Sequence, residues 1–252
     1  IKLQPESPLN TILDFVEINP RCYLVRAGWD KTLCIYQESE LETFDLVRKY
    51  IGHQSDISAV ASFSQGLISG SVSGELFEWS PETNFPVAST KLTTSATVET
   101  IACYHNFAIV GDSNGFLSVI SLPKLIILST INAHKIIVQH SITVICTSVD
   151  DGMIFTADTL GYVKRWNCDN SKSDPNNLIL TESAIERCHS SEIRSLVLCY
   201  NNEFLASCGA DQCVRIWKKD TFEYVGFFSD VSNWSLNDKK TWIGKSPFEI
   251  DE

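Results

Sequence analysis

Histidine, hydroxyl and carboxylate residues recur in a fixed order in this chain. His189, Ser207 and Asp211 are followed by Trp217, His53 and Ser69 by Trp79, and His134 and Thr156 by Trp166. The first three are the parts of a nucleophilic triad, in which the ring takes the hydroxyl proton and the carboxylate orients the ring. They are equally the parts of a buried relay, in which carboxylate, imidazole, hydroxyl and indole N–H satisfy one another. The relay reading is favoured. Each hydroxyl falls within a β-rich run, with no G-x-S-x-G elbow and no oxyanion donors. No Walker loop, GxGxxG or HExxH occurs either. No catalytic residue is assigned, and no cofactor or small-molecule substrate is expected.

The nine cysteines are odd in number and form no CxxC pair, so zinc spacing is missing and no metal is expected. Cys34, Cys103, Cys146, Cys199, Cys208 and Cys213 sit in apolar strand-like runs, where a reduced thiol acts as a small hydrophobe. That usage points to a reducing compartment, cytoplasm or nucleus. His134 and His140, in a short insertion over 134–141, are weak evidence for a metal.

The elements that must position these residues repeat. A β-rich run, a small-residue turn and a second β-rich run appear at 22–37, 66–80, 106–121, 151–167 and 203–218. Each copy closes on Tyr36, Trp79, Ile120, Trp166 or Trp217, spaced by 43, 41, 46 and 51 residues. β-Branched runs precede each hairpin (11–16, 57–63, 98–104, 142–147, 193–199), and others follow it (43–47, 86–92, 125–131, 178–181, 222–228). Each unit therefore carries four short strands, helical periodicity is nearly absent, and the chain reads as all-β. The polar stretch 167–178 accounts for the long last spacing.

On these residues the chain resembles the WD40-repeat β-propellers over about 11–228. The family pattern is Gly-His before the inner strand, Ser or Thr in the second strand, Asp in the turn and Trp ending the third. Repeat five matches best, with His189, Ser207, Asp211 and Trp217. Repeat two keeps His53, Ser69 and Trp79 but has Ser73 at the turn. Repeat four keeps His134, Thr156 and Trp166 but has Leu160 there. Repeat one keeps Asp30 with Arg26 and Tyr36. Repeat three has Val110, Asn114 and Ile120. The resemblance implies five blades at about 11–50, 51–93, 94–132, 133–187 and 188–228. Residues 1–10 are expected to give an outer strand of a preceding blade plus linker, and 229–252 a C-terminal extension. Five visible hairpins and a first residue other than Met lead to the expectation of a C-terminal section of a larger propeller, seven-bladed or tandem.

Family alignment places Leu13, Trp29, Asp56, Val72, Glu99, Glu192 and Arg194 on a partner-binding rim. That set lacks an arginine ring for phosphopeptides and an aromatic cage for methyl-lysine. The chain carries 20 Lys+Arg against 31 Asp+Glu, a net charge of −11, which repels nucleic acid. No apolar run reaches the ~18 residues of a membrane span. The expectation is a non-enzymatic scaffold for other proteins in a multi-subunit assembly. The alternative is a substrate receptor or peptide reader in a ubiquitin-ligase or chromatin complex. The Trp-containing tail over 227–243 resembles extensions of large cilia- and flagella-associated WD-repeat proteins, which implies a cytoplasmic or axonemal location. It could equally begin a further inner strand, or cap the last blade through Trp234 and Trp242.

Overall fold

Val, Ile, Phe and Thr fill the runs, and Gly, Asn, Asp and Ser break them, so each strand pairs antiparallel with the next in sequence. The computed structural model describes residues 10–18, 21–38, 43–134, 140–169, 177–228, 234–244 and 247–248. These form five antiparallel four-stranded sheets, each built from four consecutive strands, and one 3-10 turn at Lys239–Thr241. The expected outer strand before residue 10 and most of the polar stretch 167–178 lie outside the described residues.

The chain divides into two units, Ile1–Lys135 and Ile136–Glu252. The first holds β1 (Asn10–Ile18), β2 (Arg21–Gly28), β3 (Thr32–Glu38) and β4 (Phe44–Ile51) as sheet one. Sheet two is β5 (Ile57–Phe63), β6 (Gly66–Ser71), β7 (Glu75–Trp79) and β8 (Ala88–Lys91). Sheet three is β9 (Val98–Tyr104), β10 (Phe107–Asp112), β11 (Phe116–Ser121) and β12 (Ile126–Asn132). The second unit holds β13 (Ile142–Ser148), β14 (Met153–Asp158), β15 (Tyr162–Asp169) and β16 (Ile179–Arg187) as sheet four. Sheet five is β17 (Ile193–Cys199), β18 (Phe204–Gly209), β19 (Val214–Lys218) and β20 (Tyr224–Phe227). The last strand starts later than its residue types suggest, because Phe222 turns at φ 55° and buries its ring beside Phe155.

Alternate residues of facing sheets fill each core. Val16, Val25, Leu33 and Ile35 meet Ile57, Leu67 and Trp79 between sheets one and two. Ile68 and Leu76 meet Val98, Val110 and Ile120 between sheets two and three. In the second unit Phe155, Ala157 and Val163 meet Ile193, Leu205 and Trp217. Residues such as Val25, Leu67, Ile109 and Trp217 are wholly removed from water, each stabilising the fold by roughly 1.5–3 kcal/mol.

Each first strand carries a register shift near its start, at Asn10/Ile12, Ile57/Ala59, Ile142/Val144 and Ile193/Ser195, and β9 has the same irregularity against Asp112. A bulge re-aims the extra residue out of the ladder. Two such residues tie their sheet to the next one. Ser58 Oγ donates to Val98 O at 2.5 Å, and Thr143 Oγ1 donates to Ile193 O at 2.5 Å.

The described tail makes no further inner strand. Residues 234–244 fold back on the last sheet. Trp242 packs edge-on against Phe204 with centroids 5.6 Å apart, and Trp234 Nε1 donates to Phe227 O at 2.8 Å. A Cβ on Gly226 would lie 2.4 Å from Trp234 Cδ1, so the indole rests against bare backbone.

Candidate functional site: turn rim and polar relays

The relay of sheet five is complete. Trp217 Nε1 donates to Ser207 Oγ at 3.0 Å, Ser207 Oγ bonds His189 Nε2 at 2.8 Å, and His189 Nδ1 bonds Asp211 Oδ1 at 2.8 Å. Because the carboxylate can only accept, the ring proton is assigned to Nδ1, and Ser207 O–H donates to Nε2. Asp211 also accepts from Ser190 N–H at 3.2 Å and from Arg215 Nη1 at 2.7 Å. Burial by itself would raise the Asp211 carboxyl, but these hydrogen bonds outweigh it and hold it far below the usual carboxylate range. Burial lowers His189, and its Asp211 bond only partly offsets that. His189 is 0% exposed and Ser207 1%, so no substrate reaches the hydroxyl. These three residues brace strands and cannot act as a triad.

The other relays solve the same problem differently. In sheet two Trp79 Nε1 donates to Ser69 Oγ at 2.7 Å, and Ser69 Oγ bonds His53 Nε2 at 2.6 Å. Ser73 does not reach the ring, and His53 Nδ1 is left without a hydrogen bond. In sheet four Trp166 Nε1 donates to Thr156 Oγ1 at 2.9 Å. His134, in the first unit, is buried, and its backbone N–H donates to Gly115 O at 3.0 Å. Sheet one carries Arg26 at the position that Ser207 holds in sheet five, four residues before the turn acid, and Arg26 donates to Asp30 Oδ2 at 2.5 Å and to Cys34 Sγ at 3.7 Å.

Two acidic residues escaped the sequence reading. Asp112 and Asp158 are each 1% exposed and sit two positions earlier in the turn than Asp30 and Asp211. Asp112 Oδ1 accepts from Asn114 and Phe116 N–H, and Asp158 Oδ1 from Leu160 and Tyr162 N–H, all at 2.9 Å. Thr94 Oγ1 donates to Asp112 Oδ2 at 2.7 Å, which gives sheet three its own pair. The Asp-x-x-Gly spacing of 112–115 and 158–161 was the available clue, since Asp opens such turns and Gly closes them.

These choices are linked. Where Asp stands first, glycine takes the left-handed position, as at Gly115 (φ 78°) and Gly161 (φ 89°). Where Asp stands third, the first position is Gly28 or Gly209 and the left-handed residue is Lys31 (φ 60°) or Gln212 (φ 64°). A Cβ at Gly209 would lie 2.3 Å from His189 Nδ1 and 2.8 Å from Asp211 Oδ1. The histidine–carboxylate pair therefore requires a bare backbone beside it.

The turns fixed in this way carry some of the residues expected on the rim. In the first unit Trp29, between β2 and β3, is 55% exposed, and Val72, between β6 and β7, is 43% exposed. Asp56 O accepts from Val72 N–H at 3.0 Å, so those two residues are brought together. Glu99 is half-buried at the β9 irregularity. Leu13 is not at a turn. It pairs with Arg26 in the ladder and is exposed with Phe15 on the face of β1 away from Val16 and Ile18. In the second unit Glu192 Oε2 accepts from exposed Arg194 Nη2 at 3.2 Å, and Glu192 O accepts from Ala210 N–H at 2.7 Å.

All nine cysteines are free thiols. Burial pushes Cys103 up to about 12 and raises Cys188 well above its ordinary value. Among the described residues no three His, Cys, Asp or Glu side chains group as metal ligands. No described helix is long and apolar enough to cross a membrane.

No curated protein matches the chain. Many solved structures do, 1443 chains in all, so the likeness speaks for a widely used fold rather than for one function. One is the crystal structure of the computationally designed Ika8 protein, with TM-score 0.65 and 20% identity. The match covers 86% of this chain and 60% of that one, so it spans less than two thirds of the designed protein's length. Residues 181–218, which hold β17 to β19 and the complete relay, match the WD40 family, described as WD domain, G-beta repeat: the chain contains a WD40 repeat there.

Proposed function

We propose that this chain is a non-enzymatic protein-interaction scaffold that presents turn residues to other proteins within a multi-subunit assembly. The observation that carries the reading is Trp29. More than half of its surface meets water, yet its turn is clamped by Asp30, which accepts from Arg26 and from Thr32 N–H and Oγ1. A large aromatic side chain on a braced turn loses little freedom on binding and supplies a large contact area. The WD40 repeat at 181–218 supports the same class of role. The ciliary reading gains no surface from the tail, whose tryptophans Trp234 and Trp242 are used against the chain's own last sheet.

A photo-crosslinking residue placed at Val72, beside Asp56, tests this in native cells. The expected result is a discrete cross-linked protein species. Cross-links confined to nucleic acid or lipid overturn the reading.

A further inference from the structure

The opposite ends of the first-unit strands hold a cleft of about 940 Å³ lined by Arg21, Tyr23, Val47, Gln65, Glu78 and Pro123, among others. Antiparallel pairing puts Arg21, Gln65 and Pro123 at the far ends of the sheets from the Trp29 and Val72 turns, so the cleft is separate from those turns.

Glu78 is the anomaly in it. It is the last residue but one of β7 and is only 4% exposed. Its Oε2 accepts one hydrogen bond, from Lys124 N–H at 3.2 Å. No ammonium or guanidinium among the described residues pairs with it, and Oε1 has no partner. Oε1 is also not a sealed atom: the described side-chain atom that is buried and unsatisfied is His53 Nδ1, so Oε1 keeps contact with accessible space. Burial penalises a carboxylate that has no cation beside it, and a positive group reaching it would offset that penalty.

The other charges on the cleft do not supply that group. Arg48 is tied to the β7–β8 loop, donating to Pro81 O at 2.5 Å, Glu82 O at 3.4 Å and Asn84 Oδ1. Arg21 is exposed on the first-sheet wall and pairs with no carboxylate among the described residues, and Glu82 lies on the loop. Tyr23, Val47 and Pro123 give the cleft apolar walls that suit a methylene stem.

We propose that this cleft binds a basic side chain of a protein segment, a lysine or arginine whose cationic head hydrogen-bonds Glu78 Oε1 while its stem lies along the apolar wall. The net charge of −11 draws such segments toward the protein. The probes are the capped tripeptides Gly-Lys-Gly and Gly-Arg-Gly, with Gly-norleucine-Gly as the uncharged control, titrated into isotopically labelled protein and followed by NMR.

The expected result is saturable shifts at Gln65 and Lys124 amides with a basic probe and none with norleucine. Glu78→Gln should weaken binding about tenfold or more. The Glu78 carboxyl carbon of the wild type should also titrate at lower pH when the basic probe is bound. That readout decides the matter even where the variant folds poorly. Equal binding to wild type and Glu78→Gln, no saturable shift with either basic probe, or an unmoved Glu78 titration overturns the proposal. None of these results bears on the Trp29 rim.

Discussion

His53 Nδ1 and Glu75 Oε2 stand 3.9 Å apart, too far for a hydrogen bond, and the nitrogen is buried with no other partner. In sheet five the same ring atom is met by Asp211 at 2.8 Å. The difference traces to one residue, Ser73 where Asp211 stands. Ser73 bonds to Ser55 and Ser71 instead. Ser73→Asp should therefore complete the relay. It should stabilise the protein by about 1–2 kcal/mol and raise the His53 pKa from about 4. Urea unfolding and histidine NMR titration check both. An unchanged His53 titration would contradict the account.

Burial, only slightly offset by Glu75, lowers His53 to about 4 in the folded protein, against about 6.5 in an unfolded chain. A depressed folded value means that the unfolded state takes up the proton first. The stabilising contribution is full above pH ~6.5 and is lost as pH falls toward the folded value of about 4. His189, also lowered, adds in the same direction. The unfolding free energy should drop by roughly 2–3 kcal/mol over that window, and Ser73→Asp should flatten the drop. A stability flat from pH 7 to pH 4 rejects this.

Asp211→Ala removes an acceptor of five donors, the His189 ring, Arg215, the Ser190 amide and hydroxyl, and the Cys213 amide. It should cost about 2–4 kcal/mol. Asp112→Ala, which strands two amides and Thr94, should cost a similar amount. Asn114→Ala, at the aligned turn position of sheet three, should change stability by less than about 0.5 kcal/mol. Equal denaturation midpoints for Asp112→Ala and Asn114→Ala would show that the turn acid carries no weight.

Lys31 and Gln212 occupy left-handed backbone at φ 60° and 64°, where Gly115 and Gly161 stand in other turns. Lys31→Gly and Gln212→Gly should each stabilise by about 1 kcal/mol, because the Cβ clash is removed at an ordered turn. Gly161→Ala should act oppositely and strongly, since its Cβ would lie 2.1 Å from His189 O. Thermal melts of the three variants test the pair of signs.

The fold was legible because its determinants are local. Alternation along 57–63 or 193–199 and turn residues at 71–74 or 112–115 act within a few positions, and they recur. The relay of sheet five was legible for the same reason. The Thr94–Asp112 pair was not, because a carboxylate shifted by two residues meets different donors, and neither was the Arg26–Asp30–Cys34 substitute, in which an arginine stands where the other relays carry a hydroxyl. Two readings of the tail were open in the sequence. What decides between them is tertiary, since the Trp234 site exists only where Gly226 leaves backbone bare. Glu78 gave no sign at all: a carboxylate before Trp79 looks like any strand residue until Lys124 from sheet three covers it.

Recognition of other proteins by the rim around Trp29 is what the proposed function requires. Interaction mass spectrometry from native cells on wild type, Trp29→Ala and Phe85→Ala, at equal folded fraction, tests it most directly. Both side chains are exposed, at 55% and 78%, so neither change should alter stability by more than about 0.5 kcal/mol. Partner proteins should be lost with Trp29→Ala and retained with Phe85→Ala, whereas an identical partner set for all three proteins rules out recognition through Trp29.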